Sequence, residues 1–210
     1  MKKLFFSLFL ILVAFSATAQ ICPDNQHPHM IDLGLPSGTK WACCNVGAIA
    51  PEYYGDHYAW GETVVKELYD ESTYKYYQYE KYIDIGSDIS GTKYDVAHVK
   101  WGGAWQMPSK YQMKELIEKC SYIYVSLNDV YGCLFIGKNG KCIFLPSAGS
   151  YEYSNTYSED YGNYWSSSLG HESDSFAEGL NFSYKDGDSP DWDEDHWGRQ
   201  TGHTVRPVAK

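Results

Sequence analysis

Five aspartates, Asp186, Asp188, Asp191, Asp193 and Asp195, fall within one short run that also contains Gly187. Ca²⁺ takes several oxygen ligands, and a loop of this composition could supply them. The run lacks the spacing of an EF-hand, with no Asp-x-Asp-x-Asp-Gly and no closing Glu. A solvated acidic loop has the same composition and is the commoner use of such a run. Calcium is therefore the one cofactor the sequence admits, as a weak site. A second set of residues carries recognition chemistry. Tyr153, Tyr157 and Tyr161 precede a Tyr-Trp-Ser-Ser-Ser run at 164–168; Tyr184, Trp192, His196, Trp197 and Arg199 follow it. Tyr, Trp and Arg are the usual anchors of binding surfaces, and the Ser, Asn and Gly between them supply adaptable hydrogen bonds. Such rings also stack on sugars, so the sequence predicts a surface for a protein or a glycan. Some of the rings belong to the core instead: Trp165 is assigned there, and Trp197 fits either place.

No residue type stands at a spacing that catalysis needs. The seven histidines are scattered, and none makes a triad with Ser or Cys. His27 and His29 offer two metal ligands, too few for a site. There is no Gly-x-Ser-x-Gly, so acyl transfer has no support. Carboxylate pairs for glycoside hydrolysis are available in so acidic a chain, but acidity does not place them. The sequence predicts a protein that is not an enzyme, with a glycan-active hydrolase or a structural part of a surface assembly as alternatives.

The elements that must position these residues begin after an address label. Lys2 and Lys3 precede a nearly continuous apolar run from Leu4 to Phe15, and Ala17-Thr18-Ala19 fits a cleavage site. Residues 1–19 read as a signal peptide and 20–29 as a lead-in; the apolar run is shorter than the roughly 20 residues of a membrane span. Residues 30–210 suit one domain with a substantial core, and no membrane span is expected after cleavage. The chain carries 27 acidic against 17 basic residues, a net charge of −10. That balance argues against nucleic acid as a partner, because phosphate contacts need a basic surface. All six cysteines lie in the exported part, where disulfides are expected, although sequence does not choose among their pairings. Cys43 and Cys44, if on a strand, point to opposite faces.

Residues 39–46 read as a strand with Trp41. Tyr58 and Trp60 alternate around Ala59. Residues 63–93 form a polar, Tyr-rich excursion, with 67–81 as a partial helix at most, because its Thr and Tyr residues are indifferent helix formers. Lys110 to Cys120 is the clearest helix: Met113, Leu116, Ile117 and Cys120 recur on one face, and Ser109 with Gln112 has the spacing of a capping box. Ser121 to Leu127 alternates as a half-buried strand. Leu134–Ile136 and Cys142–Leu145 are arms of a hairpin with Asn139-Gly140 at its tip, a register that sets Cys142 against Gly137 and away from Cys133. After Gly149 the strands shorten to Tyr164–Ser166, Ala177–Tyr184 and Val205–Val208, with 186–195 as a loop.

Several motifs in order carry a resemblance. Asp32-Leu-Gly-Leu-Pro-Ser-Gly-Thr-Lys-Trp-Ala42, Cys44-Asn-Val-Gly-Ala48 and Tyr54-Gly-Asp-His-Tyr-Ala-Trp-Gly-Glu62 open it. Ala97-His-Val-Lys-Trp-Gly-Gly-Ala-Trp-Gln-Met-Pro108 is central, and Ile143-Phe-Leu-Pro-Ser-Ala-Gly149, Tyr164-Trp-Ser-Ser-Ser168 and Thr201-Gly-His-Thr-Val-Arg-Pro-Val208 close it. Across nearly all of the exported part the chain resembles the Fibrobacter succinogenes major paralogous domain family of exported bacterial proteins. The resemblance implies an α+β, C-type-lectin-like fold: short twisted antiparallel sheets, one or two helices and extensive loops. It makes Trp41, Trp60, Trp101, Trp105, Trp165, Cys44 and Cys120 structural, and it puts the ligand surface on the late loops. It implies no catalytic activity. No Glu-Pro-Asn or Gln-Pro-Asp sugar motif is present. The fold also serves formylglycine-generating enzymes, which need reactive cysteines near the C-terminus, and here none follows Cys142. Retroelement diversification is a further expectation for the Tyr/Ser/Asn/Asp/His-biased residues 151–204. The leader and the resemblance together imply the periplasm, outer cell surface or surroundings of a Gram-negative bacterium.

Overall fold

The computed structural model describes residues 29–153, 155–157, 160–183 and 190–210, with the backbone alone described for 155–157 and 191–196. The described residues build a mixed α+β architecture of short sheets and two helices. In chain order these are β1 (Met30–Asp32), β2 (Lys40–Ala42), β3 (Tyr77–Gln78), β4 (Lys81–Tyr82), α1 (Val96–Trp101) and α2 (Lys110–Lys119). Then come β5 (Ser121–Leu127), β6 (Val130–Ile136), β7 (Cys142–Pro146), β8 (Ser150–Glu152) and β9 (Asn155–Tyr157). The series ends with β10 (Tyr161–Leu169), β11 (Phe176–Ser183), β12 (Asp191–Gly198) and β13 (Val208–Ala209). Three sheets carry most of the structure, in strand orders β1-β2-β13, β5-β6-β7 and β10-β11-β12. The first ties the end of the domain to its beginning, with Val208 opposite Trp41.

The core lies between these sheets and α2. Leu33, Trp41, Met113, Leu116, Phe135, Ile143, Leu145 and Phe182 form its largest cluster. A second contains Trp60, Val96, Met107, Trp165 and Val205. Helix α2 forms as the sequence predicts. Ser109 caps it, with its backbone N–H donating to Gln112 Oε1 at 2.9 Å in a full capping box, and Met113 and Leu116 face inward. Helix α1 has no counterpart in the sequence reading. The Asp95 carboxylate starts it by accepting from His98 N–H at 3.0 Å, and also holds Gly91 N–H and Met107 N–H at 2.8 and 2.9 Å. Gly102 and Gly103 then turn the chain at φ of 66° and 58°, a backbone region glycine enters without a Cβ penalty. Trp101 and Trp105 meet edge-on across this turn, with ring centres 5.3 Å apart.

Five expectations are corrected. The strand at 39–46 ends at Ala42, because the buried Arg206 guanidinium takes the carbonyls of Ala42 and Cys43 at 3.2 and 3.0 Å. Cys43 and Cys44 therefore lie in a bend, not on opposite strand faces, with their sulfurs 3.8 Å apart. The β6–β7 hairpin is one residue looser at its tip than a two-residue turn: Gly137 N–H donates to Lys141 O, and Cys142 pairs with Ile136. Gly140 at φ 80° closes this loop, the three-residue form with a left-handed glycine. Residues 67–81 contain no helix; they form turns and the β3–β4 hairpin. No disulfide links any of the described cysteines.

Candidate functional site

The Tyr-rich excursion begins where Trp60 is fixed. Its backbone N–H donates to Arg199 O at 2.8 Å and its indole N–H to Ser166 O at 2.9 Å. From there the chain runs outward until Ile85 and Ile89 return it to the Trp60 cluster. Between those ends it is held by a set of phenols around one buried cation. The Arg199 side chain is 1% exposed. Its Nε donates to the Tyr74 hydroxyl at 3.0 Å, Nη1 to Asp174 O at 2.9 Å and Nη2 to Ile83 O at 3.0 Å. The guanidinium carbon also lies 5.0 Å from the Trp60 ring, 5.6 Å from Tyr74 and 5.4 Å from Tyr82. Aromatic faces and carbonyls suit a planar, weakly hydrated guanidinium better than they suit an ammonium. Burial pushes the Tyr74 phenol well above its ordinary range despite the pull of Arg199. It therefore stays a neutral hydroxyl that donates to Trp60 O at 2.7 Å.

A second set of bonds joins the excursion to the late part of the chain. Tyr69 exchanges two backbone hydrogen bonds with Tyr153, at 2.9 and 2.8 Å, and its hydroxyl donates to His57 O at 2.6 Å. Tyr151 does the same with Gly202, at 2.8 Å each way. A Cβ on Gly202 would stand 2.7 Å from the Tyr69 ring, so this packing requires glycine. The result is one continuous surface from two distant stretches of sequence.

Three clefts open around it. The first, about 450 Å³, is lined by Glu62, Lys66, Lys75, Tyr76, Lys93 and Tyr94 among others. The second, about 430 Å³, combines Asp70, Glu71 and Ser72 of the excursion with Glu152, Tyr153 and Gln200. The third, about 400 Å³, lies between Ile85, Leu169, Asp174 and Arg199. In the second, Asp70 accepts from Ser72 and from Thr73 N–H at 2.7 and 2.9 Å, and those bonds hold its carboxyl below the usual range. Glu71 accepts from the Tyr82 hydroxyl at 2.9 Å. Among the described residues, no group of three or more His, Cys, Asp or Glu is arranged to hold a metal ion.

The residues named from sequence separate. Tyr153 is 58% exposed and lines the second cleft; Tyr161, at the start of β10, is 40% exposed. Trp197 turns inward against Trp165's cluster, edge-on to His203 at 4.7 Å. Arg199 is a correction: it is a buried staple, not a surface contact, because its charge is satisfied by carbonyls and rings. Tyr157 lies on β9 opposite Ser150, and Trp192 and His196 lie on β12; their side chains, and all of Tyr184, are outside the described residues. The acidic run is likewise corrected in part. Asp191, Asp193 and Asp195 belong to strand β12, with Asp191 opposite Asn181 and Asp193 opposite Gly179; Asp186 and Asp188 are outside the described residues. Trp41, Trp60, Trp165 and Cys44 are at most 1% exposed, and Trp105 and Cys120 are buried with them, while Trp101 is half-buried. Burial raises the Cys120 thiol to about 11, which leaves it inert.

Sequence reasoning leaves the excursion outside the candidate surface, although the structure joins it to residues 151–153. Its signal was the pairing of tyrosines with lysines in an acidic chain: Lys75 stands over Tyr76 and Lys93 over Tyr94, at 5.5 and 5.0 Å. Comparison of the chain with protein-family models, with characterised proteins and with solved structures finds no match in any of the three.

Proposed function

We propose that this chain is an exported, non-catalytic binding protein that presents an aromatic and polar surface to a glycan or protein at the cell envelope or outside it. In this reading it has a C-type-lectin-like fold and belongs with the Fibrobacter succinogenes major paralogous domain proteins it resembles. The observation that carries the proposal is the joining of the excursion to residues 151–153 and 198–203 around buried Arg199. Binding surfaces gain affinity when their rings are held before the ligand arrives, and here the half-buried Tyr76 and Tyr82 pack on Tyr74, itself buried and fixed by its hydrogen bond to Trp60 O. Clefts of about 450, 430 and 400 Å³ line that surface, within the size range of small-ligand sites. The ligand face extends beyond the late loops to include the excursion. Calcium at the acidic run and diversification of residues 151–204 remain separate proposals, tested by calorimetry with Ca²⁺ and by a search beside the gene for a reverse transcriptase.

A second reading has one observation in its favour. Asp70, Glu71 and Glu152 share a cleft, and a hydrolase of polysaccharides works with paired carboxyl groups. Such an enzyme needs one carboxyl held protonated, whereas Asp70 is pushed the other way by its hydrogen bonds. Binding is the better account. Glycan and protein arrays probed with the chain test it: retained ligands are expected without release of reducing ends. Steady release of reducing ends from a bound polysaccharide would replace it with the hydrolase reading.

A further inference from the structure

The first cleft differs in charge from the rest of the molecule. The chain has ten more acidic than basic residues, yet three lysines and one glutamate line this cleft. Lys66 is committed: its ammonium pairs with Glu62 at 3.0 Å and donates to Thr73 O at 3.3 Å. Glu62 is committed in turn, accepting also from Lys75 N–H at 2.8 Å. The side chains of Lys75 and Lys93 make no hydrogen bond or ion pair among the described residues. Each is exposed and rests instead over a half-buried tyrosine. Those two rings meet edge to face, at 89° with centres 5.4 Å apart, and both line the cleft. The wall is anchored below, because Ile83 N–H donates to Tyr76 O and Tyr94 packs against the Trp60 cluster.

From this arrangement we infer that the Lys75–Lys93 cleft is a subsite for an anionic saccharide, one whose sugar rings carry a uronate carboxylate or a sulfate ester. The inference rests on the binding function proposed above and names the class of ligand for one of its clefts. The physical match has two parts. Two ammonium groups without carboxylate partners supply charge-assisted hydrogen bonds to an anionic oxygen. The adjoining half-buried Tyr76 and Tyr94 rings supply apolar surface for the C–H side of a sugar, with hydroxyl groups at their tips. Long polyanions without an apolar face fit poorly, because the negative field of the whole chain opposes their approach. The local excess of positive charge instead selects a ligand that seats a single charged ring in the cleft.

The test uses the full exported chain in titrations with three sets of oligosaccharides: uronate-rich, sulfated and neutral, matched in length. A poly-glutamate peptide serves as a charge control. Binding by either anionic set supports the inference, and the set that binds assigns carboxylate or sulfate. The affinity is expected to fall about tenfold in Lys75→Gln/Lys93→Gln, to recover in Lys75→Arg/Lys93→Arg, and to weaken as salt rises. An unchanged melting temperature confirms that the glutamine variant is folded, as expected for exposed side chains with no hydrogen bond or ion pair to lose. The inference is overturned if neutral and anionic sugars bind equally, if the glutamine variant binds like the wild type, or if poly-glutamate competes as well as the saccharides. Neutral sugar binding lost in Tyr153→Ala but not in the lysine variants would remove this subsite and leave the binding function standing. Binding of nothing on any array would remove both.

Discussion

Arg199 and Arg206 are buried to the same depth, at 1% and 0% exposure, yet they hold two different kinds of structure. Arg206 lies in the base. It donates to Asn45 Oδ1 at 2.7 Å and to the carbonyls of Ala42, Cys43 and Phe144, and close to it lie the aliphatic and Trp-rich clusters. Removing a hydrogen bond there leaves a large apolar core. Arg199 lies beneath the excursion, where tyrosines Tyr69, Tyr74, Tyr76, Tyr77 and Tyr82 make up most of the cluster and Ala59 is the one small apolar member. Phenols contribute ring area and a polar tip together, so the excursion is stabilised by contacts that a single cation organises. The base is built by burial of aliphatic surface, and the excursion, before Ile85 and Ile89 rejoin the Trp60 cluster, by directed polar contacts. That difference suits a surface that must be rigid and still offer polar groups to a ligand.

The largest test of the contrast is Arg199→Leu. It deletes three hydrogen bonds and leaves the Ile83 and Asp174 carbonyls without their donor, a cost of about 3 kcal/mol in urea unfolding. Amide exchange should rise through residues 62–94 while α2 and β5–β7 keep their protection. Arg199→Lys should recover little, since an ammonium cannot span the same acceptors and rings. If exchange rises equally in both regions, the excursion is part of one cooperative unit with the base.

Acid should act where the two regions meet. His203 is buried between Trp165, stacked at 4.2 Å, and Trp197, and neither ring nitrogen has a partner among the described residues. Burial lowers the pKa of His203 well below 6.5 and also lowers that of His57. A histidine neutral in the folded state and basic when unfolded stabilises the fold above pH 6.5. That stability is lost as pH falls below this value, at up to about 1.4 kcal/mol per pH unit for each group. Stability measured from pH 7 to pH 5 should therefore decline, and His203→Phe should flatten the slope. An unaltered slope would mean that other groups carry the acid response.

Smaller effects separate the two regions further. Ser109→Ala removes the cap of α2 and should cost about 1 kcal/mol of base stability, with the excursion unaffected. In the β3–β4 turn, Tyr79 and Glu80 sit at φ 51° and 58°, where non-glycine residues are disfavoured. Replacing them with Asn-Gly should stabilise the hairpin by about 1 kcal/mol, read as slower exchange at Gln78 and Lys81.

This turn also shows why the sequence was legible in one region and not in the other. The base announces itself through periodicity and punctuation. Helix α2 has its capping pair and single apolar face, β5 alternates, and Asn139-Gly140 marks a hairpin, one residue away from the register that a two-residue turn implies. Helix α1 gives no such signal because its six residues are too few to show a period, although Asp95 is a valid cap. The excursion has no aliphatic stripe, and its hairpin turns on Tyr-Glu, which carries no turn signal. Arg199 reads as a surface residue because Arg among tyrosines has the composition of a binding face. Composition does not tell a guanidinium that meets a ligand from one wrapped by its own chain. Tyr153 is exposed at a cleft, and residues 62–94 are joined to it by tertiary contacts that no local sequence pattern announces.

The central claim is that the excursion and the late segment form one ligand surface, and amide hydrogen exchange on the free and glycan-saturated chain tests it most directly. Added protection is expected in residues 62–76, at 93–94 and at 151–153, with the base unchanged. Protection confined to α2 and the β5–β7 sheet, or none at saturation, would contradict the account.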